Sequence, residues 1–270
     1  MYFPGDYHLH TTYCDGNSTP EEMIAAAISL GYESVGLSGH SYVWFDDGFG
    51  MTAPEAYQAE VLALKEKYRG KIDIYLGIEQ DVFAERPAEG YDYIIGSAHT
   101  IVCGGGYITV DYTVEKVTAG VREYFGGDWQ KYVKAYYELA AEIPKRTGAD
   151  IISHFDLVTK FNKGGRFFDE ESREYKAVVY EALKSAAAGC RIFEINSGAV
   201  NRGYRSRVYP AVFILKALKE LGCRIILSSD AHDSGSVGFM FDEMAEMARE
   251  CGFKSAVYLT PGGFGEYSLI

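Results

Sequence analysis

Short apolar runs rich in β-branched residues alternate along this chain with longer stretches of helical periodicity. Runs at 6–10, 34–39, 72–80, 92–98, 150–155, 191–196, 224–229 and 255–259 have the length and composition of strands, and near-continuous apolar runs are how strands buried on both faces read. Between them, residues 54–69, 128–147, 170–188, 208–221 and 238–251 carry apolar side chains at helical spacing, and several of these stretches end in Gly before the next strand. The first helix is the most sharply marked. Thr19 is its expected N-cap, Pro20 its first helical residue, Glu21 and Glu22 its acidic first turn, and Gly31 its C-cap. The alternation predicts an α/β fold of parallel strands joined by crossover helices. No Ser/Pro-rich hinge or low-complexity tract interrupts it, so one domain over 1–270 is expected. Residues 103–127 are less regular: Gly104-Gly105-Gly106 signals a turn, and the following YITVDYTV extends or forms a hairpin. Loops are expected at 162–166 and 197–209, each after a strand, and so on the face where parallel α/β folds build their active sites.

Composition narrows the function classes. With 47% hydrophobic and 24% charged residues the chain is an ordinary soluble globule. A net charge of −12 argues against a nucleic-acid binder, which needs a basic face. It leaves room for an anionic substrate, because bound divalent cations invert the local field. No signal-peptide pattern and no membrane-length apolar run is present. The five cysteines are odd in number, widely spaced and free of any C-x-x-C, so reduced thiols in a cytoplasmic protein are expected. Cys14, between His10 and Asp15, is left unassigned.

The chemistry is concentrated in six histidines, all at or just past strand ends. His8 and His10 form an H-x-H pair, whose spacing of two points both rings to one side of an extended strand. His40 closes SVGLSGH, His99 closes YDYIIGSAH, His154 lies in ADIISHFD and His232 in IILSSDAH. Three carboxylates accompany them: Asp15, Glu79 at the end of IDIYLGIE, and Asp230, two residues before His232. Asp15-Gly16 also reads as a plain turn and Asp230 as a cap. Glu79 is harder to explain away, since an acidic residue ending an apolar strand needs a partner. Asp81, as a loop residue or a weaker ligand, is set aside. Eight or nine N/O donors without thiolate suit Zn²⁺, Mn²⁺ or Fe²⁺, and they exceed what one tetrahedral ion takes, so two or three divalent metals are expected.

At these residues the sequence resembles the PHP (polymerase and histidinol phosphatase) family of metal-dependent phosphoesterases. The matching phrases are DYHLHTT at 6–12 with CDG at 14–16, GH at 39–40, GIE at 77–79, YDYIIGSAH at 91–99, SHFDL at 153–157 and SDAH at 229–232. The IGSAH phrase, HFDLVTKF at 154–161, EINSGA at 194–199 and the Tyr209-Pro210 pair look most like the histidinol-phosphate phosphatase branch. The resemblance implies a distorted (β/α)7 barrel with a trinuclear centre at the C-terminal ends of its strands. It assigns His8, His10, Glu79 and Asp230 to one metal, Glu79, His99 and His154 to a second, and Asp15, His40 and His232 to a third. A hydroxide bridging the first two metals, held by Glu79, His8, His10, Asp230, His99 and His154, is then the implied nucleophile.

The implied substrate is a small phosphorylated molecule: L-histidinol phosphate first, with another small phosphomonoester or a nucleotide phosphodiester as the alternative. Lys160 matches the family's basic position after the His154 strand, and Arg202 and Arg207 lie in the loop after EINSG, so these three are the expected phosphate clamp. Arg166 is a weaker candidate. Two other classes compete. An amidohydrolase-like enzyme would want a bridging lysine, and none closes the third or fourth strand. A non-catalytic metal-binding PHP module would be expected to lack ligands, and none is missing. Two departures touch the substrate loops: DAHDSGSVG lacks the Pro-Glu usual after D-A-H, and NRGYRSRVYP is unusually rich in arginine.

Overall fold

Leu9 and Ala231 form a parallel bridge, with the His10 N–H donating to the Ala231 carbonyl at 2.9 Å and the Ala231 N–H to the His8 carbonyl at 3.3 Å. This contact joins the two ends of a sheet into a nearly closed barrel. The computed structural model describes residues 1–45 and 48–270. Among these, the strands in chain order are β1 (Gly5–Asp6), β2 (Ser34–Leu37), β3 (Asp73–Asp81), β4 (Tyr93–Ser97), β5 (Thr100–Cys103), β6 (Gly106–Thr109), β7 (Ile151–Ile152), β8 (Ile192–Asn196), β9 (Arg224–Ser228), β10 (Ser255–Thr260) and β11 (Gly263–Ser268). Seven of them form the barrel in the order β1-β2-β3-β4-β7-β8-β9, every neighbour parallel. The distorted (β/α)7 barrel is the fold of this chain. Its seam is held by Asp6, fully buried, whose carboxylate accepts the Ser229 N–H at 3.2 Å, the Gly238 N–H at 3.0 Å and the Ser229 hydroxyl.

The helices are α1 (Pro20–Ser29), α2 (Pro54–Lys67), α3 (Val114–Phe125), α4 (Trp129–Ala140), α5 (Ile143–Thr147), α6 (Arg173–Gly189), α7 (Gly198–Asn201), α8 (Val212–Glu220) and α9 (Phe241–Glu250). Helix α1 starts as expected: Thr19 Oγ1 accepts the Glu22 N–H, and the Glu22 carboxylate reaches back to the Thr19 N–H at 2.8 Å. The single helix expected over 128–147 is two, α4 and α5. They separate just before Pro144, which has no N–H to continue the ladder. The irregular segment after β4 resolves into the β5–β6 hairpin and α3.

The strand expected at 255–259 lies outside the barrel. It pairs antiparallel with β11, and its Val257 and Leu259 pack with Tyr7, Tyr93, Ile151 and Ile226 from the barrel strands. Two glycines of the barrel have a packing reason. A Cβ on Gly36 or Gly77 would lie 2.2 Å from the Tyr93 side chain, so the buried Tyr93 ring occupies room that only glycine leaves there. Helices α1 and α2 bury Met23, Ile24, Tyr57 and Val61 against β2 and β3, while the other helices share a larger core with β7 to β9. Among the described residues no helix is long and apolar enough to cross a membrane.

Candidate metal centre

Each barrel strand delivers a titratable side chain to the same end. His8 and His10 follow β1, His40 follows β2, Glu79 lies near the end of β3, His99 follows β4, His154 follows β7, Glu194 sits in β8, and Asp230 and His232 follow β9. Asp15 joins them from the loop between β1 and α1. Parallel strands all point the same way, so strand-end residues far apart in sequence converge without special loops. Asp230 adopts φ 52°, a left-handed conformation that Asp tolerates better than most residues. Gly198 makes space for it: a Cβ there would stand 2.5 Å from Asp230 Oδ2.

Glu79 is at the centre, fully buried, and its two oxygens face different imidazoles. Oε2 lies 3.3 Å from His8 Nε2 and 3.7 Å from His10 Nε2. Oε1 lies 3.3 Å from His99 Nε2 and 3.1 Å from His154 Nε2. His10 Nε2 is also 3.3 Å from Asp230 Oδ1. On the outer side, Asp15 is 3.1 Å from His232 Nε2 and 3.7 Å from His40 Nε2. Three groups of donor atoms come within cation-sharing distance: His8, His10 and Asp230; His10, Asp15, His40 and His232; and His40, Glu79 and His99. His40 therefore touches two groups, since its Nδ1 is 2.7 Å from Glu79 Oε2 while its Nε2 faces Asp15.

The charges are tightly coupled. Burial opposes ionisation of Glu79, but His40, His8 and His99 outweigh it and hold its pKa well below the usual carboxylate range. Asp230 is lowered in the same way by Arg202 and His8, against its burial. Burial likewise opposes protonation of His8, His40 and His99. Glu194 and Glu79 overcome it at His8, Glu79 and Asp15 at His40, and Glu79 and Asp81 at His99, so all three are raised. His10 is the exception, pulled down to about 3 by burial and by the neighbouring His232 and His40.

These residues fit divalent cations. Buried polar atoms are almost always hydrogen-bonded, yet His8 Nε2, His10 Nε2, Asp15 Oδ1 and both oxygens of Glu79 have no hydrogen-bond partner. Five such atoms within one cluster are what bound cations would satisfy. The donors are imidazole nitrogens and carboxylate oxygens, as borderline and hard divalent ions prefer. The one nearby thiol, Cys14, is pushed up to about 11 by burial and Asp15, and its Sγ sits 3.6 Å from His10 Nδ1.

Two carboxylates stand behind this set. Glu194 Oε1 accepts from His8 Nδ1 at 2.7 Å, and Glu194 Oε2 accepts from Asn196 Nδ2 at 3.1 Å. Asp81 accepts the His99 N–H at 3.0 Å and the His99 Nδ1–H at 3.2 Å. Both fix a ring whose Nε2 faces Glu79, which is how second carboxylates orient ligating histidines. Sequence reasoning set Asp81 aside and quoted Glu194 only within a phrase. The signal for Glu194 was a charge inside the buried strand IFEIN. Asp156, also fully buried, instead accepts the Ala211 N–H at 3.0 Å, and burial raises its pKa to about 6.

The family model described as PHP domain matches residues 6–198. The chain belongs to the PHP domain family. Among curated relatives, a probable histidinol-phosphatase of Deinococcus radiodurans is 28% identical over 94% of this chain and 95% of its own length. The histidinol-phosphatase of Bacillus subtilis is 25% identical, over 89% of this chain and 98% of its own. Two solved structures share the fold. A candidate histidinol phosphatase of Listeria monocytogenes superposes with TM-score 0.76 at 20% identity, covering 88% of this chain and 99% of its own. The Lactococcus lactis histidinol phosphate phosphatase, solved with zinc, L-histidinol and phosphate, gives 0.67 at 19% identity over 97% and 98%.

In this PHP chain a cavity of about 200 Å³ opens onto the histidine cluster. Its polar lining includes Asp15, His99, His154, Asp230 and His232, with Lys160, Arg202 and Asp111 on the walls and Phe45, Phe49, Tyr112 and Tyr204 around them. Lys160 is buried, and its Nζ donates to the Asp111 carbonyl at 2.8 Å and lies 3.4 Å from Asp111 Oδ2. Arg202 reaches Asp230 Oδ2 at 3.2 Å and lies against His232. Arg207 is not brought to this pocket. It pairs with Glu170 at a separate surface pocket, held there by that buried carboxylate. Arg166 packs over the Phe167 ring, also away from the cluster. Lys160 and Arg202 are thus the two cations of the expected clamp that reach the site.

Proposed function

We propose that this PHP chain is a metal-dependent phosphomonoesterase whose substrate is L-histidinol phosphate. The observation that carries the proposal is the placement of Glu79, one oxygen toward His8 and His10 and the other toward His99 and His154. On this reading His8, His10, Glu79 and Asp230 hold one divalent ion, Glu79, His99 and His154 a second, and Asp15, His40 and His232 a third. Zinc, manganese and iron all suit such nitrogen and oxygen donors. Bound there, such ions supply Lewis acidity and an activated water at neutral pH.

The chain's own residues do the rest. Glu194 and Asp81 keep His8 and His99 in the tautomer that leaves Nε2 free toward the cluster. Lys160 and Arg202 bind phosphate oxygens from the pocket wall. Arg offers a two-pronged contact and Lys a compact charge, and together they offset the negative charge of a phosphoryl group. Phe45, Phe49, Tyr112 and Tyr204 offer an aromatic rim for the leaving group. None of this needs a covalent nucleophile from the protein.

The substrate rests on two supports. The curated relatives carry the histidinol-phosphatase name across nearly their whole lengths, and the Lactococcus lactis relative of the same fold was solved with L-histidinol and phosphate. The cavity, about 200 Å³, is also below the roughly 300–1,000 Å³ of pockets for drug-sized ligands. That size favours a small monoester over a nucleotide phosphodiester. The test is a phosphate-release panel of L-histidinol phosphate, other small monoesters and nucleotide phosphodiesters. The reading expects a clear preference for L-histidinol phosphate. Equal or better turnover of an unrelated monoester or diester would sink the substrate assignment.

A further inference from the structure

Four aspartates line the pocket: Asp15, Asp81, Asp111 and Asp230. Three already have work, two in the proposed metal sites and Asp81 on His99. Asp111 does not. It follows the β5–β6 hairpin, whose base is tied to the cluster by the Val110 N–H donating to the His99 carbonyl at 2.8 Å. The hairpin thereby fixes a carboxylate on the pocket wall, with its side chain 27% exposed. Tyr112 and Phe49, edge to face at 5.7 Å, line the same cavity.

Asp111 is currently engaged by Lys160, yet only loosely through its carboxylate. The short contact, 2.8 Å, is to the Asp111 backbone carbonyl, and the contact to Oδ2 is 3.4 Å. An ammonium has three donors on a flexible stem, so it can keep the carbonyl and turn another hydrogen toward a new anion. A phosphate dianion carries more charge than a carboxylate and forms shorter charge-assisted bonds. When phosphate takes the lysine, the Asp111 carboxylate is left in a part-buried pocket without a cation in direct contact. Resting on the phosphomonoesterase reading above, we propose that Asp111 is the specificity residue for a cationic leaving group. It receives the substrate's ammonium once the phosphate has turned Lys160 off its carboxylate. The pocket thereby selects a monoester with positive charge a few atoms from the phosphate, and it couples recognition of the two ends.

The coupling is measurable without turnover. The metal-loaded protein is titrated calorimetrically with L-histidinol and with the same alcohol lacking its amino group, each with and without inorganic phosphate. Phosphate is expected to tighten L-histidinol binding by about tenfold, the size of one charge-assisted hydrogen bond, and to leave the amine-free alcohol unchanged. Asp111→Asn is expected to abolish the tightening while still binding phosphate. Equal behaviour of the two alcohols in the wild-type protein, including no binding of either, overturns the inference whatever the variant does. So does a variant that loses phosphate and both alcohols together, because Asp111 would then only position Lys160. The two readings fail differently. Preferential, phosphate-coupled binding without phosphate release from L-histidinol phosphate overturns the phosphatase reading alone. Equal hydrolysis of L-histidinol phosphate and its amine-free analogue overturns the Asp111 assignment alone.

Discussion

Glu194 accepts from His8 Nδ1 at 2.7 Å, and both side chains are wholly inaccessible to solvent. The pair links two strands 186 residues apart in sequence and turns His8 Nε2 toward Glu79. Glu194→Gln keeps the shape but weakens the acceptor that holds the ring. Divalent-metal affinity should fall roughly 10–100-fold, the usual cost of removing such a partner. Competition against a chromophoric chelator measures it, and unchanged affinity would mean that the pair serves packing alone.

Glu79→Gln removes the carboxylate that faces five imidazoles, those of His8, His10, His40, His99 and His154. It should release the metals of both adjoining sites and reduce kcat by at least about 10³, as losing a principal electrostatic element does. Metal content by elemental analysis and single-turnover phosphate release check the two halves separately. A variant that kept its metals and its rate would show that Glu79 is not the bridge.

The clamp separates three basic residues cleanly. Lys160→Ala and Arg202→Ala should each lower kcat/KM by about 10²-fold, since each deletes a charged contact to the transferred group. Arg207→Ala should leave it unchanged, because Arg207 pairs with Glu170 outside the pocket. Equal losses in all three would contradict this partition.

Much of the architecture was legible in the apolar runs. All seven barrel strands overlap them, β1 starting one residue before its run and β3 ending one after, because strands covered on both faces leave little room for polar residues. The six histidines were legible for the same reason in reverse, standing at the edges of those runs. What stayed hidden has physical causes. Helix α3 contains Gly120, a poor helix former, and a Cβ there would come within 2.6 Å of Ile108 on the hairpin beneath it. Strand β11, GFGEYS, is mostly glycine and polar residues and leans on β10 for its pairing. Glu194 and Asp111 act through partners far away in sequence, Glu194 on His8 and Asp111 on Lys160. Arg207 looked equivalent to Arg202 until the loop was folded and Glu170 claimed it.

The pH dependence follows from the raised histidines. His8, His40 and His99 have folded pKa values above the ordinary value of about 6.5. In the metal-free protein their contribution to stability is full below that value and is lost as pH rises through the raised ones. Glu79 and Asp230, both lowered, contribute above the usual carboxylate range and lose that contribution as pH falls through their folded values. Metal-free protein should therefore melt at a lower temperature as pH is raised above neutrality. Cations displace the same protons, so metal binding near pH 7 should release protons, seen as a calorimetric enthalpy that scales with buffer ionisation enthalpy. Heats that do not depend on the buffer would contradict these protonation states.

Asp6 offers a test of the barrel seam. Burial raises its pKa to about 6 although Ser229 and Gly238 donate to it. Asp6→Ala leaves those buried donors unpaired and should cost about 1–3 kcal/mol for each one orphaned. Denaturant unfolding measures the loss, and a variant as stable as the parent would show that the seam is held elsewhere.

The central claim is that the histidine–carboxylate cluster performs phosphomonoester hydrolysis with bound metals. Its most direct test is phosphate release from L-histidinol phosphate by protein stripped with a chelator and then titrated with Zn²⁺ or Mn²⁺. The account predicts no release from stripped protein and recovery that saturates at two to three ions per chain. Full activity in protein shown by elemental analysis to be metal-free would contradict it.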